Sequence, residues 1–170
     1  MTAWPAHPDV THFSFLGSED QLACPCCLCF TPTPKALDLL RIVEDLRVWW
    51  RAPIALTSMT RCPEHNVEVD GKARSSHLIT LAASRSGVDL VPSLQSPQIP
   101  PRSLIPLAIE RLAVRALRTP GVTGIGIYDD YLHLDNRPPK NSGRHYLWED
   151  RTTFAQVDFL RRLRDYERNQ

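Results

Sequence analysis

The sequence predicts a single α+β domain in which a small antiparallel sheet packs against helices. The chain has 170 residues, of which 42% are apolar, and this is enough for one hydrophobic core. Segments whose apolar residues recur every three or four positions alternate with short apolar runs that are typical of strands. Two such runs, 124–128 and 131–135, are separated only by a tight turn at Asp129-Asp130.

The first half of the chain predicts an irregular segment, a helix and a strand. Residues 1–34 hold five prolines and are expected to pack irregularly on the domain. An amphipathic helix is predicted from Lys35 to Arg51, ended by Pro53. Its apolar positions are Leu37, Leu40, Val43, Leu46 and Trp50. A short buried strand follows at 53–57. The polar stretch 61–76 is expected to be a site-forming loop.

The second half predicts another helix, the hairpin and a closing helix. Residues 92–102 hold four prolines and form a connection inside the domain. Ser103 is expected to cap a helix that runs to Arg118 and ends at Pro120-Gly121. Its inward-facing residues are predicted to be Leu104, Ala108, Leu112 and Val114 to Leu117. The predicted division is residues 1–34, a core at 35–150, and a C-terminal helix at 151–170 that packs on the domain.

Alternation along the second strand of the hairpin places its polar residues together. Tyr131, His133 and Asp135 share one face, and Leu132 and Leu134 share the other. His133 is therefore presented from a rigid element, which is how ligands are held most accurately.

Charge and hydropathy exclude several classes of function. The net charge of +1 lacks the basic excess of a nucleic-acid-binding protein. No apolar run is long enough to cross a bilayer, so we expect no membrane partner. Residues 1–16 contain no Lys or Arg and no continuous apolar core, unlike a secretory signal. We therefore expect a protein that is cytoplasmic as synthesised, and a monomer.

Five cysteines are present, and four of them lie between Cys24 and Cys29. Their odd number argues against a secreted disulfide framework. The run Cys-x-Cys-Cys-x-Cys lacks, between neighbouring cysteines, the separation of two to four residues that is usual for paired zinc ligands. Free thiols are the first interpretation, and a contact of Cys24, Cys26 or Cys29 with Cys62 is the second. A structural zinc site is the third.

Two histidines and a carboxylate form a candidate metal site. A catalytic zinc ion has three protein ligands, usually nitrogen and oxygen, and a fourth position for water. His77, Asp89 and His133 are the candidates. Asp89 lies in the strand-like run Gly87–Val91, where a lone buried carboxylate would be costly without a partner. Taken singly, each residue has a simpler structural explanation, such as a hydrogen-bonded histidine or an ion pair of Asp89 with Arg74 or Arg85.

Three ordered motifs resemble a known family, over about residues 13–137. The motifs are Ser58-Met59-Thr60-Arg61-Cys62-Pro63-Glu64-His65-Asn66 with Asp70-Gly71, Ser75-Ser76-His77 with Gly87-Val88-Asp89, and Gly124 to Tyr128 with His133-Leu134-Asp135-Asn136-Arg137. They resemble the M15 zinc D-alanyl-D-alanine carboxypeptidases and phage L-alanyl-D-glutamate endopeptidases, which share the Hedgehog/DD-peptidase fold. Within the M15 family, the pattern is nearest to subfamily A.

The resemblance implies one catalytic zinc ion bound by His77, Asp89 and His133. Arg61 would hold the substrate carbonyl and stabilise the oxyanion, a role that suits a permanently charged, planar guanidinium. Asp130, three residues before the last histidine, would be the general base that takes the proton of the attacking water. Asp135 is a rival base.

The resemblance also implies supporting residues and a substrate. Ser58, Tyr128, Asp135 and Arg137 would support the ligands or contact the substrate. The implied substrate is a peptidoglycan peptide, cut next to a D-amino acid. A phage-encoded lysis protein released to the cell wall would fit this activity.

One spacing departs from the family pattern. The family separates its first histidine from the aspartate by six residues, which here leads to Ser84, whereas Asp89 requires about five inserted residues. A longer turn is tolerable, because the cost of loop closure grows slowly with length. The alternative places Ser84 at the ligand position and predicts a non-catalytic structural or binding protein, such as a phage virion component. A third hypothesis is a structural zinc module around Cys24–Cys29.

Overall fold

The computed structural model describes residues 12–13, 22–31, 33–140, 142–150 and 157–169. The elements are α1 (Pro34–Trp50), β1 (Ile54–Ser58), α2 (Pro63–Glu68), a 3₁₀ turn (Ile79–Leu81), β2 (Gly87–Pro92), α3 (Ile105–Leu117), β3 (Gly124–Tyr128), β4 (Leu132–Asp135), β5 (Tyr146–Asp150) and α4 (Val157–Arg168). The chain is therefore a single-domain α+β protein, as predicted. The domain boundaries placed at residues 34 and 150 stay a prediction.

Five strands form one mixed sheet in the order β1-β2-β4-β3-β5. The pairs β1–β2, β2–β4 and β4–β3 are antiparallel, as the sequence predicts. The fifth strand, which the sequence does not predict, pairs parallel with β3. Its first four residues are half-buried and its last is exposed, so the alternation of buried and exposed residues that would identify a strand is absent.

The strand register aligns one row of residues across the sheet. Asp89 on β2 lies opposite His133 on β4. His133 in turn lies opposite Gly126 on β3, and Gly126 lies opposite Trp148 on β5. Directly opposed side chains lie on the same face of a sheet, so the register brings the two strand-borne ligand candidates together.

Helices α1 and α3 contribute most of the apolar cover of the sheet. Thr33 caps α1 by accepting a hydrogen bond from the Ala36 N–H at 3.2 Å, which satisfies one of the open donors at the helix start. Arg51, with φ of 58°, ends the helix in the left-handed conformation, two residues before Pro53. The fully buried members of the core include Leu39, Trp50, Leu56, Leu90, Ile109, Leu112, Ile125 and Ile127.

The predicted start of α3 is wrong in two details. The Ser103 hydroxyl donates to the Pro100 carbonyl oxygen and does not cap the helix. Leu104 is the residue before the first turn, and it is 72% exposed rather than facing inward. The cause is Pro106, whose fixed φ suits the first turn of a helix, so α3 starts at Ile105.

The predicted closing helix is present as α4, which packs on the domain through Phe159, Leu160 and Leu163. Most of the irregular segment predicted at 1–34, and the first six residues of the closing helix predicted at 151–170, lie outside the described residues. Within the described ranges, none of the helices combines the length and the apolar character that crossing a bilayer requires.

Candidate metal centre

The three predicted ligands come together, although they are far apart in the sequence. His133 and Asp89 are held by paired strands, and His77 is held by a loop. That loop is fixed by two backbone hydrogen bonds, from Arg61 N–H to the His77 carbonyl oxygen at 2.8 Å and from Ile79 N–H to the Arg61 carbonyl oxygen at 2.9 Å. The backbone of Arg61 therefore positions a ligand candidate, in addition to whatever its side chain does.

Three side-chain atoms form a nearly equilateral triangle. His77 Nε2 lies 3.0 Å from His133 Nδ1 and 3.2 Å from Asp89 Oδ1, and His133 Nδ1 lies 2.8 Å from Asp89 Oδ1. A tetrahedral zinc ion with bonds of 2.0–2.1 Å sets its ligand atoms about 3.3 Å apart. The triangle would need to expand by only a few tenths of an ångström to bind such an ion, so the residues fit zinc.

The far side of each imidazole faces a hydrogen-bond acceptor. His77 Nδ1 lies 3.0 Å from the Met59 carbonyl oxygen, which can only accept, so Nδ1 carries the proton. His133 Nε2 lies 3.4 Å from Asp135 Oδ2, and the same argument places its proton there. In the neutral rings, both inward nitrogens therefore carry lone pairs. Histidine ligands of metal ions are usually held this way, with the outer N–H donated to a carbonyl or carboxylate.

Asp89 divides its two oxygens between the histidines and a guanidinium. Oδ1 faces the two rings, and Oδ2 accepts a hydrogen bond from Arg61 Nη2 at 2.9 Å. Arg61 Nε donates to Ser58 Oγ at 3.1 Å, which orients the guanidinium. Asp89 therefore pairs with Arg61 and not with Arg74 or Arg85. Burial raises the pKa of Asp89, but the neighbouring histidines outweigh burial and hold it well below its usual value.

The two imidazoles differ in their affinity for a proton. Burial lowers the pKa of His77, and the attraction of Asp89 only partly offsets this. Burial also lowers the pKa of His133, but hydrogen bonds from that ring to Asp135 and Asp89 outweigh it and raise the pKa to about 9. Without a metal ion, a proton on His133 Nδ1 would thus reduce the repulsion between the lone pairs of His77 Nε2, His133 Nδ1 and Asp89 Oδ1.

Asp135 is fully buried, and its oxygens are occupied. It accepts hydrogen bonds from Ser76 Oγ at 3.0 Å and from Arg137 Nε at 2.8 Å, and it forms an ion pair with Arg137 Nη2. Burial raises its pKa, but His133 and Arg137 outweigh burial and lower it. This arrangement orients the His133 ring, and it leaves Asp135 poorly placed to accept a proton from a reacting water.

A family model described as Peptidase M15 matches residues 20–95 of the chain. Over this segment the chain is similar to the peptidase M15 family. The matched segment contains Ser58, Arg61, His77 and Asp89, and it ends before His133, which the sheet register supplies. No curated protein gives a significant match, and neither does any solved structure. Membership of subfamily A within the M15 family stays a prediction.

The structure does not support the alternative in which Ser84 takes the ligand position. Ser84 is exposed, and its hydroxyl donates to the Leu81 carbonyl oxygen at 3.1 Å. Between His77 and Asp89 the chain forms the 3₁₀ turn and the turn after it, and β2 then carries Asp89 to His133. The strand register therefore brings Asp89, and not Ser84, beside His133.

Asp130, the predicted general base, is exposed in the turn between β3 and β4. Among the described residues, no hydrogen bond or ion pair joins it to the ligand triangle. Its role stays a prediction. Arg61, in contrast, donates a hydrogen bond directly to Asp89, and Ser58 accepts one from Arg61. Arg137 donates to Asp135, the carboxylate next to the His133 ring.

Three aromatic residues border the centre, and only Tyr128 was predicted as a site residue, although Tyr131 was predicted on the same strand face as His133. Its ring stacks on Tyr131 at 4.1 Å, and its hydroxyl accepts a hydrogen bond from Trp148 Nε1 at 3.2 Å. Burial raises the pKa of Tyr131, and the negative charge of Asp89 raises it further. The Trp148 ring lies 5.3 Å from the His133 ring.

A sequence signal for Trp148 does exist. A Cβ at Gly126 would lie 2.4 Å from the Trp148 indole, so only glycine allows the indole to cross β3 and reach His133. A glycine inside a strand commonly marks such a close approach.

Proposed function

We propose that this protein is a zinc-dependent peptidase that hydrolyses peptide bonds next to D-amino acids in peptidoglycan. The observation that carries the proposal is the convergence of two imidazole lone pairs and one carboxylate oxygen within 3.2 Å of one another. Three neutral or anionic acceptors at such distances repel one another unless a cation or a proton lies between them.

The donor set favours a catalytic site over a structural one. It supplies two nitrogens and one oxygen, and three protein ligands leave a fourth position open. A zinc ion bound there would lower the pKa of water toward about 7 and polarise the carbonyl under attack. Arg61 and Arg137 neutralise the two buried carboxylates, so the site without the ion carries no net charge when both imidazoles are neutral.

The chain's own residues would then orient the substrate and move the proton. Arg61 lies next to the ligand triangle, where its guanidinium can donate to the carbonyl oxygen of the scissile bond and to the oxyanion. Asp130, at the exposed rim, would accept the proton of the attacking water and deliver it to the departing amine. Tyr128, Tyr131 and Trp148 would form one wall of the substrate site.

The preference for peptidoglycan rests on the motifs shared with the M15 enzymes rather than on a pocket of recognisable shape. We propose a substrate peptide containing an L-Ala-D-Glu or D-Ala-D-Ala bond. We also propose that the protein acts as a monomer, is cytoplasmic as synthesised and is released to the cell wall, as a phage-encoded lysis enzyme would be.

The test compares stem peptides that differ only in stereochemistry. Zinc-loaded protein is incubated with the L/D peptide and with its all-L counterpart, and the products are identified by mass spectrometry. We expect cleavage of the L/D peptide alone, lost in His133→Ala and retained in His145→Ala. His145 is a matched control because its ring also bonds a carboxylate, Glu167, outside the centre. No cleavage of any peptide by fully loaded protein would favour the non-catalytic alternative.

A further inference from the structure

A second group of metal-ligating side chains lies apart from the histidines. The sulfur atoms of Cys24, Cys26, Cys27 and Cys62 all lie within 4.8 Å of one another. Cys26 Sγ is 3.4 Å from Cys24 Sγ and 3.1 Å from Cys62 Sγ. Cys24 and Cys62 are buried, whereas Cys26 and Cys27 are exposed. We call these four residues the thiol cluster.

The backbone folds the first three cysteines into a closed loop. Cys24 N–H donates to the Cys29 carbonyl oxygen at 3.0 Å, and Leu28 N–H donates to the Cys24 carbonyl oxygen at 2.8 Å. Leu28 has φ of 54°, the left-handed conformation that reverses the chain. The loop turns the cysteine side chains toward Cys62, which is 36 residues away from Cys26 in the sequence.

Two backbone N–H groups point at sulfur atoms of the cluster. Cys62 N–H donates to Cys24 Sγ at 3.4 Å, and His65 N–H donates to Cys62 Sγ at 3.4 Å. Hydrogen bonds from fixed donors favour the thiolate form of a cysteine. Four sulfur atoms lie close together, and two of them accept such hydrogen bonds. This arrangement suits the binding of a cation that prefers thiolate ligands.

We propose that reduced Cys24, Cys26, Cys27 and Cys62 bind a second, structural zinc ion. A tetrahedral site with Zn–S bonds of about 2.3 Å sets its sulfur atoms about 3.8 Å apart, which the cluster reaches with shifts of less than about 1 Å. Cys24 and Cys27 are separated by two residues, a spacing common for zinc ligands, and Cys26 lies between them in the sequence. Four thiolates fill the coordination sphere and leave no position for water.

The structure pairs Cys27 with Cys29 in a disulfide, and this bond competes with zinc. Two electrons and two protons from a dithiol reductant convert the disulfide to two thiols. Zinc then binds and displaces the protons of the four ligand thiols. Oxidation to the Cys27–Cys29 disulfide removes one ligand and weakens the site.

The position of Cys62 indicates what the ion would stabilise. Cys62 follows Arg61, whose backbone fixes the His77 loop and whose side chain pairs with Asp89. Zinc at the thiol cluster would therefore join the 24–29 loop to the segment that carries the proposed catalytic arginine. This role adds to the proposed peptidase activity and does not depend on it.

The test counts and identifies metal ions in the full chain purified under a dithiol reductant. We expect a second zinc ion per chain that is lost in Cys24→Ser and Cys62→Ser, while His77→Ala loses the other ion. With cobalt in place of zinc, His77→Ala keeps the near-ultraviolet charge-transfer absorption of cobalt–thiolate bonds, and Cys62→Ser lacks it.

Two further variants keep the test decisive. If the buried cysteine variants fail to fold, Cys26→Ser at an exposed position serves in their place. Cys29→Ser is the matched control, because it makes the same chemical change in the same loop, prevents the disulfide and leaves all four ligands. We expect Cys29→Ser to keep the second ion without reductant.

Three results would overturn the proposal. The first is loss of the second ion in Cys29→Ser, and the second is absence of cobalt–thiolate absorption in reduced protein. The third is a Cys26–Cys62 disulfide that survives the reductant, found by mass spectrometry after alkylation. Absence of peptidase activity would leave these measurements unaffected, so the two proposals fail independently.

Discussion

The two groups of candidate metal ligands, the histidine–aspartate centre and the thiol cluster, are held in place in contrasting ways. His77, Asp89 and His133 are buried, and two of them lie on paired strands. The outer N–H of each imidazole donates to an acceptor, and the outer oxygen of Asp89 accepts a hydrogen bond from Arg61. The thiol cluster lies on loops, two of its four residues are exposed, and backbone N–H groups donate hydrogen bonds to the sulfur atoms of Cys24 and Cys62.

Because of this difference, we expect metal binding to affect the geometry and stability of the two groups in different ways. Strand register and the His77 loop position the histidine–aspartate centre, so we expect it to keep its geometry without an ion, as suits a site with one coordination position open to water. The thiol cluster is an ordering element, since binding of a structural zinc ion supplies folding free energy to the segments that it joins. Losing the first ion should abolish activity, and losing the second should mainly loosen the loops.

The largest effect is expected from removing a ligand of the centre. His133→Ala should lower kcat/KM by at least about 1,000-fold, because the metal supplies several kcal/mol of transition-state stabilisation. Zinc content and peptide cleavage measure the two losses together, and His145→Ala should change neither. A variant that loses the zinc ion but keeps its turnover would contradict the proposal that this ion is needed for activity.

Asp130→Ala should keep both metal ions and lower kcat by about 10²–10⁴-fold, the usual contribution of a general base. Asp129→Ala is the neighbouring control in the same turn and should retain most activity. Steady-state kinetics on metal-loaded protein measure the effect. Full turnover in Asp130→Ala would move the base role to another group.

Arg61→Ala should lower kcat by about 10²–10³-fold through the loss of one oxyanion donor. It should also destabilise the metal-free protein by about 3–5 kcal/mol, because Asp89 would be left as a buried charge without its partner. Zinc should restore much of this stability. Thermal unfolding with and without zinc measures it, with Arg41→Ala, at an exposed ion pair with Asp38, as the control. An equal destabilisation with and without zinc would contradict this account of Arg61.

Metal-free protein should lose stability as the pH rises through the range set by His133. Its pKa is raised from about 6.5 in the unfolded chain to about 9, so its contribution is fully present below about pH 6.5 and is lost as the pH rises through about 9. The loss amounts to about 3 kcal/mol. Chemical denaturation at several pH values measures it, and His133→Gln should remove this part of the dependence. A wild-type profile that matches the variant would contradict the proton's proposed role.

The smallest effect is expected from Asp135→Asn, which weakens the hydrogen bond that orients His133. Zinc affinity should fall by about 10–100-fold, with the ion still bound at saturation. Competition with a chromophoric chelator measures the affinity, and Asp38→Asn on the surface is the control. Unchanged affinity would show that Asp135 serves folding alone.

Much of the centre follows from local patterns in the sequence. The apolar spacing predicts α1 and most of α3, and the alternation at 131–135 predicts which face of β4 carries His133. The choice of Asp89 as a candidate ligand follows from its place in a buried strand, where a carboxylate without a partner would be costly. Its partner Arg61 is not predictable, because the pairing depends on the bulge between β1 and β2 and on the loop before His77.

The part that the sequence does not predict depends on tertiary pairing. β5 joins β3 in parallel after an irregular loop, and half-buried strands owe their formation to neighbours rather than to their own propensity. Trp148 therefore escapes prediction, although Gly126 marks the place where its indole crosses the sheet. The contact of Cys24 and Cys26 with Cys62 was one of the interpretations of the sequence, and the structure confirms it. The spacing within the run 24–29 does not predict that Cys27 completes a group of four.

A crystal structure grown with zinc tests the central claim most directly, through anomalous scattering at the zinc absorption edge. We predict a peak within about 2.0–2.1 Å of His77 Nε2, Asp89 Oδ1 and His133 Nδ1, with one further position open to solvent. Density for these three side chains without an anomalous peak between them, at stoichiometric zinc, would contradict it.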